Sequence, residues 1–193
     1  MSSCDTSCSV GNIYYSDGSC SSCVDSSKTA IGIVVKDNAL VMSAPTTSYQ
    51  KWSYYWIDTT LTNYASVDDA KTDYNGVNNT SVIIADYSAA PKEETAGNNS
   101  SVYCNSYSTA GTNAGDWYLP AYGELYEAIW LNCNKVKPNA IELGWKDWST
   151  SVSLWSSTEY DIYQAYHVSS CMDHGGASDK WFDSIRTACF LKI

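Results

Sequence analysis

One run, Asp116-Trp117-Tyr118-Leu119-Pro120-Ala121-Tyr122-Gly123-Glu124-Leu125, commits the middle of this chain to a strand, a tight turn and a helix in quick succession. Trp117, Tyr118 and Leu119 favour extended backbone. Pro120 has a fixed φ and no N–H to donate, which suits the start of a helix. Behind it, Leu125, Ala128, Ile129 and Leu131 fall on one face of a helix over residues 121–131. Further on, Leu154-Trp155-Ser156-Ser157-Thr158-Glu159-Tyr160 reads as a strand led by an aromatic residue. Helices between strands must bury an apolar stripe against a sheet.

The flanks supply more strands. Residues 11–15 read as a short strand, stopped at Ser16-Asp17-Gly18-Ser19. Residues 30–35 and 39–43 are rich in Ile and Val and are joined by Lys36-Asp37-Asn38, so they predict a hairpin. A short helix is expected over residues 66–74, capped by Ser66 and ended by Asn75-Gly76. Residues 82–85 are apolar and fit either element. A second short helix is expected over 101–106, and further helical turns over 132–143. Strands close the chain at 154–158, 165–170 and 184–191. The fold class expected is α+β, loop-rich, with two or more helices in the middle and the terminal strands paired. Residues 1–10 read as a flexible lead-in rich in Ser and Cys, and residues 11–193 as one domain.

Charge excludes some partners. The formal net charge is −10, which repels phosphate backbones and anionic membrane surfaces, so neither nucleic acid nor membrane insertion is expected. No apolar run is long enough to span a bilayer. Of the aromatic residues, 16 are Tyr and 8 are Trp against 2 Phe, a bias toward rings with a polar handle that suit half-exposed surfaces.

The 8 cysteines include a cluster, Cys4, Cys8, Cys20 and Cys23, and four scattered residues, Cys104, Cys133, Cys171 and Cys189. An even number with a terminal cluster favours disulfides and an oxidising compartment. The rival reading of the cluster is a four-thiolate zinc site, because Cys20-x-x-Cys23 has ligand spacing. The scattered four are equally consistent with buried thiols and with bridges.

Taken in order, the hairpin over 31–42, Thr72-Asp73-Tyr74-Asn75-Gly76, Tyr107-Ser108-Thr109-Ala110-Gly111, Trp117-Tyr118-Leu119-Pro120 with Gly123-Glu124-Leu125, the Trp155-Ser156-Ser157 strand and Ile185-Arg186 resemble a bacterial and phage family with the C-type lectin fold. It is the branch that also holds the formylglycine-generating enzymes, and the chain looks like the variable proteins of diversity-generating retroelements. The resemblance implies a display protein, secreted or on a cell surface or a phage particle, that binds a protein ligand through residues of about 155–190. It implies no cofactor. The contact residues expected are Asp161, Tyr163, His167, Ser169, Asp173, His174, Ser178, Trp181 and Asp183, a mixture of rings and small polar groups that suits a binding surface. Trp117, Pro120, Glu124, Trp155 and Arg186 are expected to be structural, with Arg186 buried and hydrogen-bonded and its charge inviting a pair with that of Glu124. The Glu-Pro-Asn and Gln-Pro-Asp signatures of calcium-dependent sugar binding are not in the sequence.

Enzyme chemistry finds little support in the residues. The catalytic alternative on the same fold would draw on Cys171 or Cys189, which lie in different expected segments. With His167 and His174 as the only histidines, a His-rich metal facet is not expected. Gly-x-Ser-x-Gly is missing, and Gly175-Gly176 follows no apolar strand. A structural adhesin module without a selective pocket is the remaining reading.

Overall fold

The computed structural model describes residues 4–53, 57–89, 99–172 and 175–193. The described chain is α+β, with two antiparallel sheets and short helices between their strands.

The first sheet has the order β2-β1-β3-β4-β9-β5. Its strands are β1 (Ile13–Tyr15), β2 (Cys20–Ser21), β3 (Ala30–Lys36), β4 (Leu40–Met42), β5 (Trp117–Tyr118) and β9 (Phe190–Lys192). The hairpin β3–β4 forms as its sequence predicts, turning at Asn38, which adopts φ 50°. The terminal strands share this sheet but are not neighbours, contrary to expectation. β1 pairs with β2 and β3, while β9 lies between β4 and β5. β3 and β4 already satisfy each other on one side, so the open edge of β4 is the place left for β9.

Both faces of this sheet are covered, which explains the unbroken apolar run of β3. Ile33, Met42, Tyr118 and Phe190 face one core, shared with Leu125, Ile129 and Val136. Val34, Val41, Trp117 and Leu191 face a second core, shared with Trp52, Ile83 and Trp155. Helix α1 (Val67–Ala70) is capped by Ser66, whose hydroxyl accepts the Asp69 N–H. The sequence marks Gly76 as a stop, yet it is the first residue of α2 (Gly76–Ala89), and residues 82–85 lie inside that helix. Gly76 is needed for closeness rather than termination: an added Cβ would collide with the Glu124 carboxylate and sit 2.7 Å from the Ala121 nitrogen. Helix α3 (Ser100–Ser106) is capped by Asn99. Helix α4 (Tyr122–Tyr126) continues through a π-helical turn (Glu127–Leu131) into α5 (Cys133–Glu142).

The second sheet is β6-β7-β8, comprising β6 (Ser153–Glu159), β7 (Gln164–Ser169) and β8 (Gly175–Asp179). The strand expected over 184–191 is regular only at its end, in β9. Before that, Arg186 makes a single bridge to Leu154.

All eight cysteines are bridged: Cys4–Cys23, Cys8–Cys20, Cys104–Cys189 and Cys133–Cys171. The four N-terminal sulfurs pair with one another, so the zinc reading of the cluster gives way to two disulfides. Residues 4–10, expected as a flexible lead-in, are held by these bonds and by the Val10 N–H donated to Asp37 Oδ1 at 2.7 Å. Disulfides persist in oxidising surroundings, so four of them fit an extracellular or surface-exposed chain. Among the described residues no helix is long and apolar enough to cross a membrane.

Candidate functional site

The sheet β6-β7-β8 has two different faces because side chains alternate along each strand. From one face of β7, Tyr166 and Val168 enter the first core, and the Tyr166 ring meets Tyr122 edge-on at 5.4 Å. On the other face, Ala165 and His167 lie with Trp155, and the His167 and Trp155 rings are perpendicular at 6.0 Å. The segment 44–53 straps this second face. Trp155 Nε1 donates to the Gln50 carbonyl at 2.8 Å, Trp52 Nε1 donates to the Ser156 carbonyl at 2.8 Å, and Gln50 N donates to the Ile185 carbonyl at 2.8 Å. Trp52 and Trp155 are both buried.

Beyond the strap the strand ends protrude. Asp161 Oδ1 accepts the N–H groups of Tyr163 and Gln164, each at 2.7 Å, which fixes the β6–β7 turn. Lys180 N donates to the Tyr163 carbonyl at 2.9 Å, so the turns at 160–163 and 180–183 lie side by side. Tyr163, Trp181 and Phe182 are 48%, 51% and 47% exposed and lie close together on these two turns. Asp179 and Asp183 are exposed beside them.

A buried ion pair anchors this end. Lys180 is fully buried; its ammonium donates to Glu159 Oε1 and to the Ile57 carbonyl at 2.8 Å, and lies 4.7 Å from the centre of the Trp52 ring. The Thr59 hydroxyl donates to the other Glu159 oxygen. Burial pushes the Glu159 carboxyl up and the Lys180 ammonium down, and their mutual attraction opposes both shifts.

The expected contact residues separate into groups. Tyr163, Trp181 and Asp183 are exposed, and Asp161 and Ser178 are half-buried at the same rim. His167 is half-buried against Trp155. Its Nδ1 is enclosed with no hydrogen-bond partner among the described residues, and burial lowers its pKa to about 4. Ser169 is buried, and its hydroxyl shares a 2.8 Å hydrogen bond with that of Ser153, so it is not displayed. Ser169 shares a face of β7 with Ala165 and His167, and both faces of this strand are covered, which the sequence reading did not foresee. Asp173 and His174 lie outside the described residues. Phe182 was not among the expected contacts; its signal was adjacency to Trp181 in a polar stretch.

The expected structural residues are all buried: Trp117, Pro120, Glu124, Trp155 and Arg186. The opposite charges of Glu124 and Arg186 do not meet. Arg186 pairs with Asp147, donating through Nη2 at 2.7 Å and Nε at 3.1 Å, and its Nη1 donates to the carbonyls of Thr46, at 2.7 Å, and Thr47. Asp147 holds φ 65°, a strained value that this clamp stabilises. Glu124 instead accepts the Ala121 N–H at 2.8 Å and the Tyr118 hydroxyl at 3.0 Å, which caps α4. Its carboxyl is raised by burial. Cys171 and Cys189 sit in separate disulfides, so the thiols that the catalytic alternative needs are both engaged.

No protein-family model matches the chain, and no curated protein matches it. Among solved structures it is similar to a fimbrial protein from Bacteroides ovatus, with 19% identity and a TM-score of 0.56. The alignment covers 95% of this chain and 48% of the fimbrial protein, so the chain spans about half that protein's length. At this identity the likeness concerns the fold alone.

Proposed function

We propose that this chain is a non-enzymatic binding module of a secreted or surface-exposed protein, and that it recognises a protein ligand through the rim formed by the β6–β7 turn and the segment after β8. The observation that carries this reading is the contrast along residues 179–183. Lys180 is locked inside the molecule, while Trp181, Phe182 and Asp183 are presented outward from it. Rigid rings supply contact area at low entropic cost, and Asp161, Ser178 and Asp183 supply hydrogen bonds and negative charge around them. Four disulfides suit such a module to oxidising surroundings. The fold it shares with a fimbrial protein is compatible with surface display.

The finer reading is a C-type lectin-fold variable protein of the retroelement type, in which the rim residues are exchanged between copies of the gene while the frame stays constant. Comparing the gene across related isolates tests it. The expected result is substitution concentrated at 163, 178 and 181–183, with Trp155, Glu159, Asp161, Lys180 and Arg186 unchanged. Substitution spread evenly over the surface overturns it. A second reading, a structural adhesin module without a selective pocket, is favoured by the fimbrial likeness. In that case the rim residues tolerate alanine without loss of attachment.

A further inference from the structure

We propose that β8 is a self-association edge, through which two copies of this chain join their second sheets into one continuous sheet about a two-fold axis at Ala177. The proposal goes beyond ligand binding and stands without it.

The backbone directions follow from one hydrogen bond. β7 and β8 are antiparallel with Gln164 opposite Asp179 and Val168 opposite Gly175. Lys180 N donates to the Tyr163 carbonyl in the continuation of that register, so this is a hydrogen-bonded pair. Such pairs alternate with non-bonded ones. Residues 176 and 178 therefore turn their N–H and C=O groups toward β7, while Gly175, Ala177 and Asp179 turn theirs to the other side. No strand among the described residues lies there, since β8 is the edge of its sheet. The Asp179 carbonyl takes the Phe182 N–H at 2.8 Å; the remaining outward groups have no protein partner among the described residues.

An exposed strand edge is ordinarily protected by lysine, proline or a bulge. Gly175-Gly176-Ala177-Ser178-Asp179 has none of these; its one charged side chain, Asp179, stands at the last position, and its register with β7 is unbroken. The edge is also self-complementary. Antiparallel pairing with a second β8 centred on Ala177 sets Ala177 opposite Ala177 and Gly175 opposite Asp179, and these are the residues whose backbone groups point outward. Each carboxylate then faces a glycine rather than another carboxylate, which avoids like-charge repulsion within the ladder. Exposed apolar residues also stand in the turns beyond either end of β8. Met172, Trp181 and Phe182 are 46%, 51% and 47% exposed in the single chain. A pairing in which one patch meets its own copy is the isologous arrangement of two-fold dimers. The net charge of −10 on each copy opposes association, so added salt strengthens it.

Sedimentation velocity over a wide concentration range, at about 50 and about 500 mM NaCl, tests the proposal. The expected result is a monomer that becomes a dimer as concentration rises, at lower concentration in high salt. Ala177→Pro removes an outward N–H from an edge position, where proline is tolerated. The folded variant is expected to associate at least about 10-fold more weakly, from loss of the central pair of hydrogen bonds. If the variant does not fold, hydrogen exchange on the unmodified chain decides. The Ala177 and Asp179 amides should slow as concentration rises, whereas those of Gly176 and Ser178 should not change. A monomer at every concentration, exchange at Ala177 that ignores concentration, or an undiminished dimer in folded Ala177→Pro overturns the proposal.

Discussion

Lys180 donates from a fully buried ammonium to the buried carboxylate of Glu159, and the residue that follows it, Trp181, is half exposed. The ion pair thus fixes the backbone at the point where the chain turns outward. Removing one partner strands the other charge. Lys180→Met is expected to destabilise the fold by about 3–5 kcal/mol, and the double variant Glu159→Gln/Lys180→Met to recover most of that loss. Urea unfolding of the single and double variants measures both. Equal loss in the two would mean that Lys180 acts by packing on Trp52 rather than by its charge.

Cys104–Cys189 joins α3 to the residue preceding β9 across 85 positions of sequence. A crosslink closing so long a loop restricts the unfolded chain strongly. Replacing both cysteines by alanine is expected to lower stability by about 2–5 kcal/mol, with the other three disulfides intact. Thermal unfolding with a thiol count checks this. An unchanged midpoint would show that strand pairing alone holds β9 in place.

Local pattern made part of this fold legible. The hairpin β3–β4 followed from Ile33, Val34, Val41 and Met42 around a polar turn, and the helix after Pro120 followed from Leu125, Ala128 and Ile129, whereas Leu131, expected on the same stripe, is turned out at the end of the π-helical turn. The length of α2 was hidden because Gly76 has the chemistry of a stop signal, and only its contact with Glu124 shows why glycine is needed there. β8 was hidden because Gly-Gly-Ala-Ser-Asp has little intrinsic strand preference; pairing with β7 imposes the conformation. Burial of Arg186 was legible, but its partner was not, since Asp147 is 39 positions away in a loop. The exposed rim was foreseen at Tyr163, Trp181 and Asp183. It was misplaced at Ser169, because both faces of β7 are covered, one by the first core and the other by the Trp155 side.

His167 gives the fold a distinctive response to acid. Its pKa falls from the ordinary 6.5 to about 4 because burial disfavours the charged ring. The unfolded chain therefore binds this proton more readily than the folded one. The stability linked to His167 is complete above about pH 6.5 and is lost as pH falls toward 4, by about 3 kcal/mol in full. Unfolding free energies from pH 7 to pH 4 are expected to fall less steeply in His167→Phe than in the unmodified chain. Parallel curves would mean that the ring reaches solvent before the fold opens.

The central claim is that a rigid frame carries an exchangeable rim, and calorimetry tests it most directly. Tyr163, Ser178, Trp181 and Asp183 are replaced together by other residues of mixed type, leaving Asp161, Lys180, Glu159 and Trp155 in place. The account predicts a single cooperative transition with Tm within about 8 °C of the original, because rim substitutions each shift stability by only about 0.5 kcal/mol. A fall of more than about 15 °C, or loss of cooperative unfolding, would show that these side chains hold the fold together and would contradict the claim.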